Sequence, residues 1–107
     1  MDKHCIVLTT FESAEQGQPV IDTILERQLA ACIQTTDINS HYSWKGEICH
    51  DKEILVLMKT TWERFNDLEE CIKSLHPYET PEIVAVNIQN GFSGYLHWVE
   101  EMTKPKT

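Results

Sequence analysis

The sequence predicts an α+β fold of the split βαβ, or ferredoxin-like, kind: a βαββαβ sandwich with a long β-hairpin and a short C-terminal helix. Three observations carry it. Apolar residues alternate between contiguous runs and helical spacing in the order strand, helix, strand, strand, helix, strand, helix. Two stretches carry Ser or Thr followed three residues later by Gln or Glu, a pattern that opens helices. The 107 residues hold no internal repeat, low-complexity tract or linker, so a single domain over 1–107 is expected.

The first strand is read over His4 to Phe11, around the apolar run Ile6, Val7 and Leu8. Ser13 with Gln16 opens the first helix, and Val20, Ile21, Ile24, Leu25 and Leu29 form its apolar face. Pro19 offers no N–H to the carbonyl of Glu15, so this helix is either kinked early or regular only from about Pro19. A hairpin follows, with one strand from Cys32 into Ser43, a turn near Trp44-Lys45-Gly46-Glu47 and a return strand to Lys59. The return strand is apolar from Ile54 to Met58, as expected for a strand covered on both faces. Tyr42, Trp44 and Ile48 near the tip make the hairpin a candidate interaction arm.

Thr60 and Glu63 predict a second capping box. Phe65, Leu68, Ile72 and Leu75 then mark a helix that stops at His76-Pro77. Ile83 to Ile88 is read as a strand, Asn90-Gly91 as a turn, and Tyr95, Trp98, Val99 and Met102 as a last short helix. The open face of such a sheet needs cover, and these strands are too apolar for water, which points to self-association.

Composition narrows the function. Apolar residues make up 41% and charged residues 24%, the balance of an ordinary soluble domain. A net charge of −8 leaves no basic stripe, which argues against nucleic acid. No run is long enough to span a membrane and no secretory signal is read at the N-terminus, so the expected address is the cytoplasm. Cys5, Cys32, Cys49 and Cys71 form no C-x-x-C pair and are expected as free thiols.

Motifs for zinc, nucleotide phosphates or nucleophilic catalysis do not occur. Cys49 and His50 are strand neighbours that point to opposite faces, so they are poor joint ligands. His41 and His97 have no titratable partner at useful sequence spacing. Acid–base work by Glu79 and Glu82 is conceivable but unsupported by any partner, and no enzymatic activity is expected. The distinctive segment is His76-Pro77-Tyr78-Glu79-Thr80-Pro81-Glu82. Its two prolines fix φ and push the preceding residues toward extended geometry, so imidazole, phenol and carboxylates sit on a stiff connector.

Four segments, in this order and spacing, resemble the CutA family of divalent-cation tolerance proteins. They are Leu29-Ala30-Ala31-Cys32-Ile33, Tyr42-Ser43-Trp44-Lys45-Gly46-Glu47-Ile48, Glu53 to Thr60, and His76 to Ile83 with Tyr95-Leu96-His97-Trp98 closing the chain. The resemblance implies a homotrimer similar to the PII signalling proteins and a role in tolerance of divalent metals, copper above all. Some bacterial members place proposed copper ligands, a cysteine and two histidines, at positions that are here Thr9, Leu75 and His76, so only His76 is retained. The ligand site is therefore expected as a subunit-interface pocket of Tyr42, Trp44, Lys59, Tyr78, Glu79 and Glu82. In that expectation Lys59 meets a small anionic group, Trp44 and Tyr78 stack, and His76 takes a divalent copper or zinc ion with help from Glu79 or Glu82. The alternative is PII-like small-molecule signalling or a scaffold with no metal role.

Overall fold

The computed structural model describes residues 2–105. Strands β1 (His4–Phe11), β2 (Cys32–Trp44), β3 (Glu47–Thr61) and β4 (Val84–Ile88) form one antiparallel sheet in the order β2-β3-β1-β4. Helices α1 (Ala14–Glu26) and α2 (Trp62–Leu75) follow β1 and β3, and α3 (Ser93–Met102) follows β4. This is the predicted split βαβ arrangement.

Strand alternation decides what each face does. Cys5, Val7 and Phe11 of β1 and Ile54, Val56 and Met58 of β3 are buried, and they pack against Val20, Ile21 and Ile24 of α1 and Leu68, Cys71 and Ile72 of α2. The alternate residues face the other way. There His4 donates from Nε2 to Glu100 Oε2 at 2.7 Å, and Lys3 Nζ meets Glu100 Oε1 at 3.1 Å, which holds α3 at one end of that face. These two bonds, His4 first, hold the Glu100 carboxyl below its ordinary range. The rest of the face is uncovered, with Val84 48% and Val86 54% exposed.

The ends of α1 show what the sequence did and did not specify. Ser13 Oγ accepts from the Gln16 N–H at 3.2 Å, the first half of the predicted box, while Gln16 Oε1 accepts from the N–H of Glu12 at 2.8 Å, one residue before the cap, rather than from that of Ser13. Of the two readings of Pro19, the helix runs on through it from Ala14, and Thr23 Oγ1 donates to the Pro19 carbonyl at 3.0 Å. The C-terminus departs from expectation. Gln28 adopts φ 58°, its N–H meets the Leu25 carbonyl and the Leu29 N–H meets the Ile24 carbonyl, closing a Schellman turn without glycine. Leu29 is thus buried beyond the helix rather than on its face.

The second expected capping box does not form. Pairing with β1 carries β3 through Thr60 and Thr61, opposite Cys5 and His4, so α2 starts one residue late with no side-chain cap on Thr61. The Thr60 hydroxyl instead donates to the Leu29 carbonyl at 2.7 Å, satisfying a group the Schellman turn leaves buried. After β4 the chain runs without a regular turn through Asn90-Gly91 into α3.

The hairpin turn is tight. Lys45 and Gly46 have φ of 50° and 82° between the paired residues Trp44 and Glu47, the two-residue geometry that demands left-handed backbone at both positions. The arm it closes extends past the body, and Tyr42, Trp44 and Ile48 stay exposed on it. Among the described residues no helix is long and apolar enough to cross a membrane.

Candidate functional site

The stiff connector after α2 docks on the stretch of β1 that β4 does not reach, since β4 pairs only with His4 to Leu8. His76 makes this junction. Its Nε2–H donates to the Thr10 carbonyl at 2.7 Å, and its Nδ1 accepts from the Tyr78 N–H at 3.1 Å. The ring stacks on Phe11 with centroids 4.4 Å apart and 11° between planes, and the Tyr78 ring packs against it at 4.7 Å, tilted by 58°. Burial pushes its pKa below the ordinary imidazole value against a weaker opposing effect of the Thr10 bond. Both nitrogens are therefore committed inside the chain, and His76 has no free lone pair for a metal.

Tyr78 carries the connector across to the hairpin, where its hydroxyl donates to Glu53 Oε2 at 2.7 Å. Tyr42 donates likewise to Asp51 on the facing strand. The hydrogen bond to Asp51 pushes the Tyr42 phenol up to about 12, and burial with the Glu53 bond pushes that of Tyr78 up as well. Each phenol keeps its proton and holds a carboxylate in place.

These pairs build a cleft of about 750 Å³ between the arm and the connector, lined by Thr10, Glu12, Tyr42, Trp44, Asp51, Lys52, Glu53, Tyr78, Glu79, Thr80 and Glu82. Five of the expected residues, Tyr42, Trp44, Tyr78, Glu79 and Glu82, thus come together in one chain. Lys59 does not. It lies opposite Cys32 and donates to Gln34, six residues along β3 from Glu53, about 20 Å in an extended strand. Sequence reasoning also missed Glu12, Asp51, Glu53 and Lys52. Asp51 and Glu53 share parity on β3 and register with Ser40 and Ile38, so the turn at Lys45-Gly46 was the signal that put them beside Tyr42. The lining holds five carboxylates against one basic residue, Lys52, whose strand parity is that of the opposite face, so the cleft carries a net negative charge that attracts cations.

The positions of a Cys-His-His copper site do not supply one. Thr9 is 1% exposed in the core with its hydroxyl unpartnered, Leu75 is an exposed hydrocarbon, and His76 is doubly hydrogen-bonded. Among the described residues no group of three or more His, Cys, Asp or Glu is placed to hold a metal ion.

Fold and cleft define a ferredoxin-like subunit whose hairpin arm and proline-stiffened connector enclose an acidic, aromatic-lined recess. Residues 5–102 match the family described as CutA1 divalent ion tolerance protein. The divalent-cation tolerance protein CutA of Thermus thermophilus is 42% identical over 99 residues, covering 92% of this chain and 96% of that protein. A crystal structure of CutA1 from Oryza sativa superposes with a TM-score of 0.93 at 31% identity, covering 98% of this chain and 97% of the other. The structure of a protein described as the periplasmic divalent cation tolerance protein CutA from Archaeoglobus fulgidus gives 0.92 at 32% identity, covering 94% and 99%. The chain belongs to the CutA family of divalent-cation tolerance proteins.

Proposed function

We propose that the chain assembles as a homotrimer and acts in divalent-cation tolerance by gathering hydrated divalent cations in the acidic cleft, with no catalysis of its own. The observation that carries this reading is the cleft's charge: Glu12, Asp51, Glu53, Glu79 and Glu82 against Lys52. Oxygen donors suit hard ions such as Mg(II), Ca(II) and Mn(II), and without a coordination cage the attraction is that of the local field on a hydrated ion. The trimer is supported by the uncovered face bearing Val84 and Val86 and by the exposed Trp44 and Ile48 of the arm. Four free cysteines favour a reducing compartment such as the cytoplasm, although the Archaeoglobus relative is described as periplasmic.

Binding of Mn(II) to the wild type and to the double variant Asp51→Asn/Glu53→Gln tests the cleft. Weaker binding in the variant supports it, and equal binding removes the cleft from the account.

A further inference from the structure

The hairpin brings together two histidines that lie nine positions apart. His41 and His50 are directly opposed in the β2–β3 register, and their Nδ1 atoms are 2.7 Å apart with ring centroids at 5.0 Å and planes at 68°. Both are exposed. They share parity with Ile54 and Val56, so they sit on the face of the arm opposite to Tyr42, Asp51 and the cleft.

From this geometry we infer that His41 and His50 form a second binding site, for a borderline divalent transition metal, Cu(II) foremost. The contact between two neutral imidazoles uses one Nδ1–H as donor and one Nδ1 lone pair as acceptor. A tautomer shift in the donor ring, moving its proton to Nε2, frees both Nδ1 lone pairs with no net loss of protons, and they then face each other along the line between the two atoms. A metal bound at about 2.0–2.1 Å from each nitrogen holds them about 2.9 Å apart at a right angle. The spacing therefore changes by only about 0.2 Å, and each exposed ring swings by roughly 45° so that the two lone pairs converge on the ion. Imidazole nitrogen favours Cu(II) over Zn(II) and both over the hard ions proposed for the cleft. The next pairs on the same face, Asn39–Lys52 and Ser43–Ile48, add no anionic ligand, so water completes the coordination and the ion stays exchangeable. The two sites thus sort divalent ions by donor type, and the histidine pair stands on its own geometry whatever the cleft does.

Titration with Cu(II), followed by calorimetry and by electron paramagnetic resonance, tests the inference. The wild type should take one Cu(II) per chain at this site, with superhyperfine structure from two imidazole nitrogens. His41→Asn and His50→Asn should each weaken binding by about ten-fold or more and remove the two-nitrogen signature, with circular dichroism unchanged. His97→Asn should bind as the wild type does. Cu(II) binding that survives the His41→Asn/His50→Asn double variant, or that is lost instead in Asp51→Asn/Glu53→Gln, overturns the inference. In the second case copper occupies the cleft, and the reading of the cleft stands while that of the histidine pair falls.

Discussion

Tyr78 and Glu53 join the two halves of the cleft: the phenol on the connector donates at 2.7 Å to a carboxylate on the hairpin. Because the prolines restrict the connector's backbone, this one side-chain bond suffices to fix its distance from the arm. Tyr78→Phe should cost about 1 kcal/mol in urea unfolding, because Glu53 is half-buried and water replaces only part of the lost bond. It should also speed hydrogen exchange at the amides of residues 78–80. An unchanged exchange pattern would show that the connector is held without this bond.

The phenols give an optical readout of the same contacts. Tyr42 should ionise near 12 in the wild type, and in Asp51→Asn it should fall toward the ordinary phenol value of about 10. Because the folded-state pKa is raised, the contribution is full below about 10 and is lost as pH rises through 12. Ultraviolet titration of both proteins measures it, and identical alkaline midpoints would refute the Tyr42–Asp51 contact.

His76 titrates with the opposite consequence. Its folded-state pKa is lowered by burial, so its contribution is full above the ordinary value of about 6.5 and is lost as pH falls through the lower folded value. Protonation also ends the acceptor role of Nδ1 toward the Tyr78 N–H. Melting temperatures of wild type and His76→Gln should therefore differ most near neutrality and converge in acid. A gap that widens on acidification would contradict a buried neutral imidazole.

Thr9 offers a stabilising substitution. Its hydroxyl is buried with no partner among the described residues, so Thr9→Val should stabilise by about 1 kcal/mol by removing an unsatisfied polar group. Denaturant midpoints decide it. A destabilised variant would mean the hydroxyl has a partner such as bound water.

How far the chain could be read in advance follows from which contacts are local. The order of elements, the arm and the stop at His76-Pro77 were legible because hydrophobic periodicity and proline act within a few residues. The end of α1 was not, because Gln28 takes the left-handed position where sequence patterns look for glycine. Thr60 was misread as a cap because its acceptor, the Leu29 carbonyl, is 31 residues away. Five cleft residues were found through the family pattern, whereas Asp51 and Glu53 needed the hairpin register. His41 has no partner by sequence spacing alone, yet once the turn is placed at Lys45-Gly46, counting back along both strands puts it opposite His50. Within a single chain Lys59 lies opposite Cys32, away from the connector, and the pocket expected for it is one between subunits.

Assembly predicts a role for Trp44, which is 43% exposed in the single chain. If the arm buries it in a neighbouring subunit, Trp44→Ala should cost about 3–5 kcal/mol per site. Light scattering should then fall from about three times the 12.4 kDa chain mass toward a single chain at micromolar concentration. A variant that keeps the wild-type mass and melting temperature places Trp44 outside any interface.

The central claim is that field, rather than a coordination cage, holds cations in the cleft, and its salt dependence tests that most directly. Screening lengths shrink from about 30 Å at 0.01 M salt to about 8 Å at 0.15 M. Mn(II) binding measured by electron paramagnetic resonance at these two ionic strengths should weaken by about ten-fold or more between them. Tight binding indifferent to salt would contradict the account, because it would require a cage of inner-sphere ligands in the cleft, and the described residues place no group of three or more to form one.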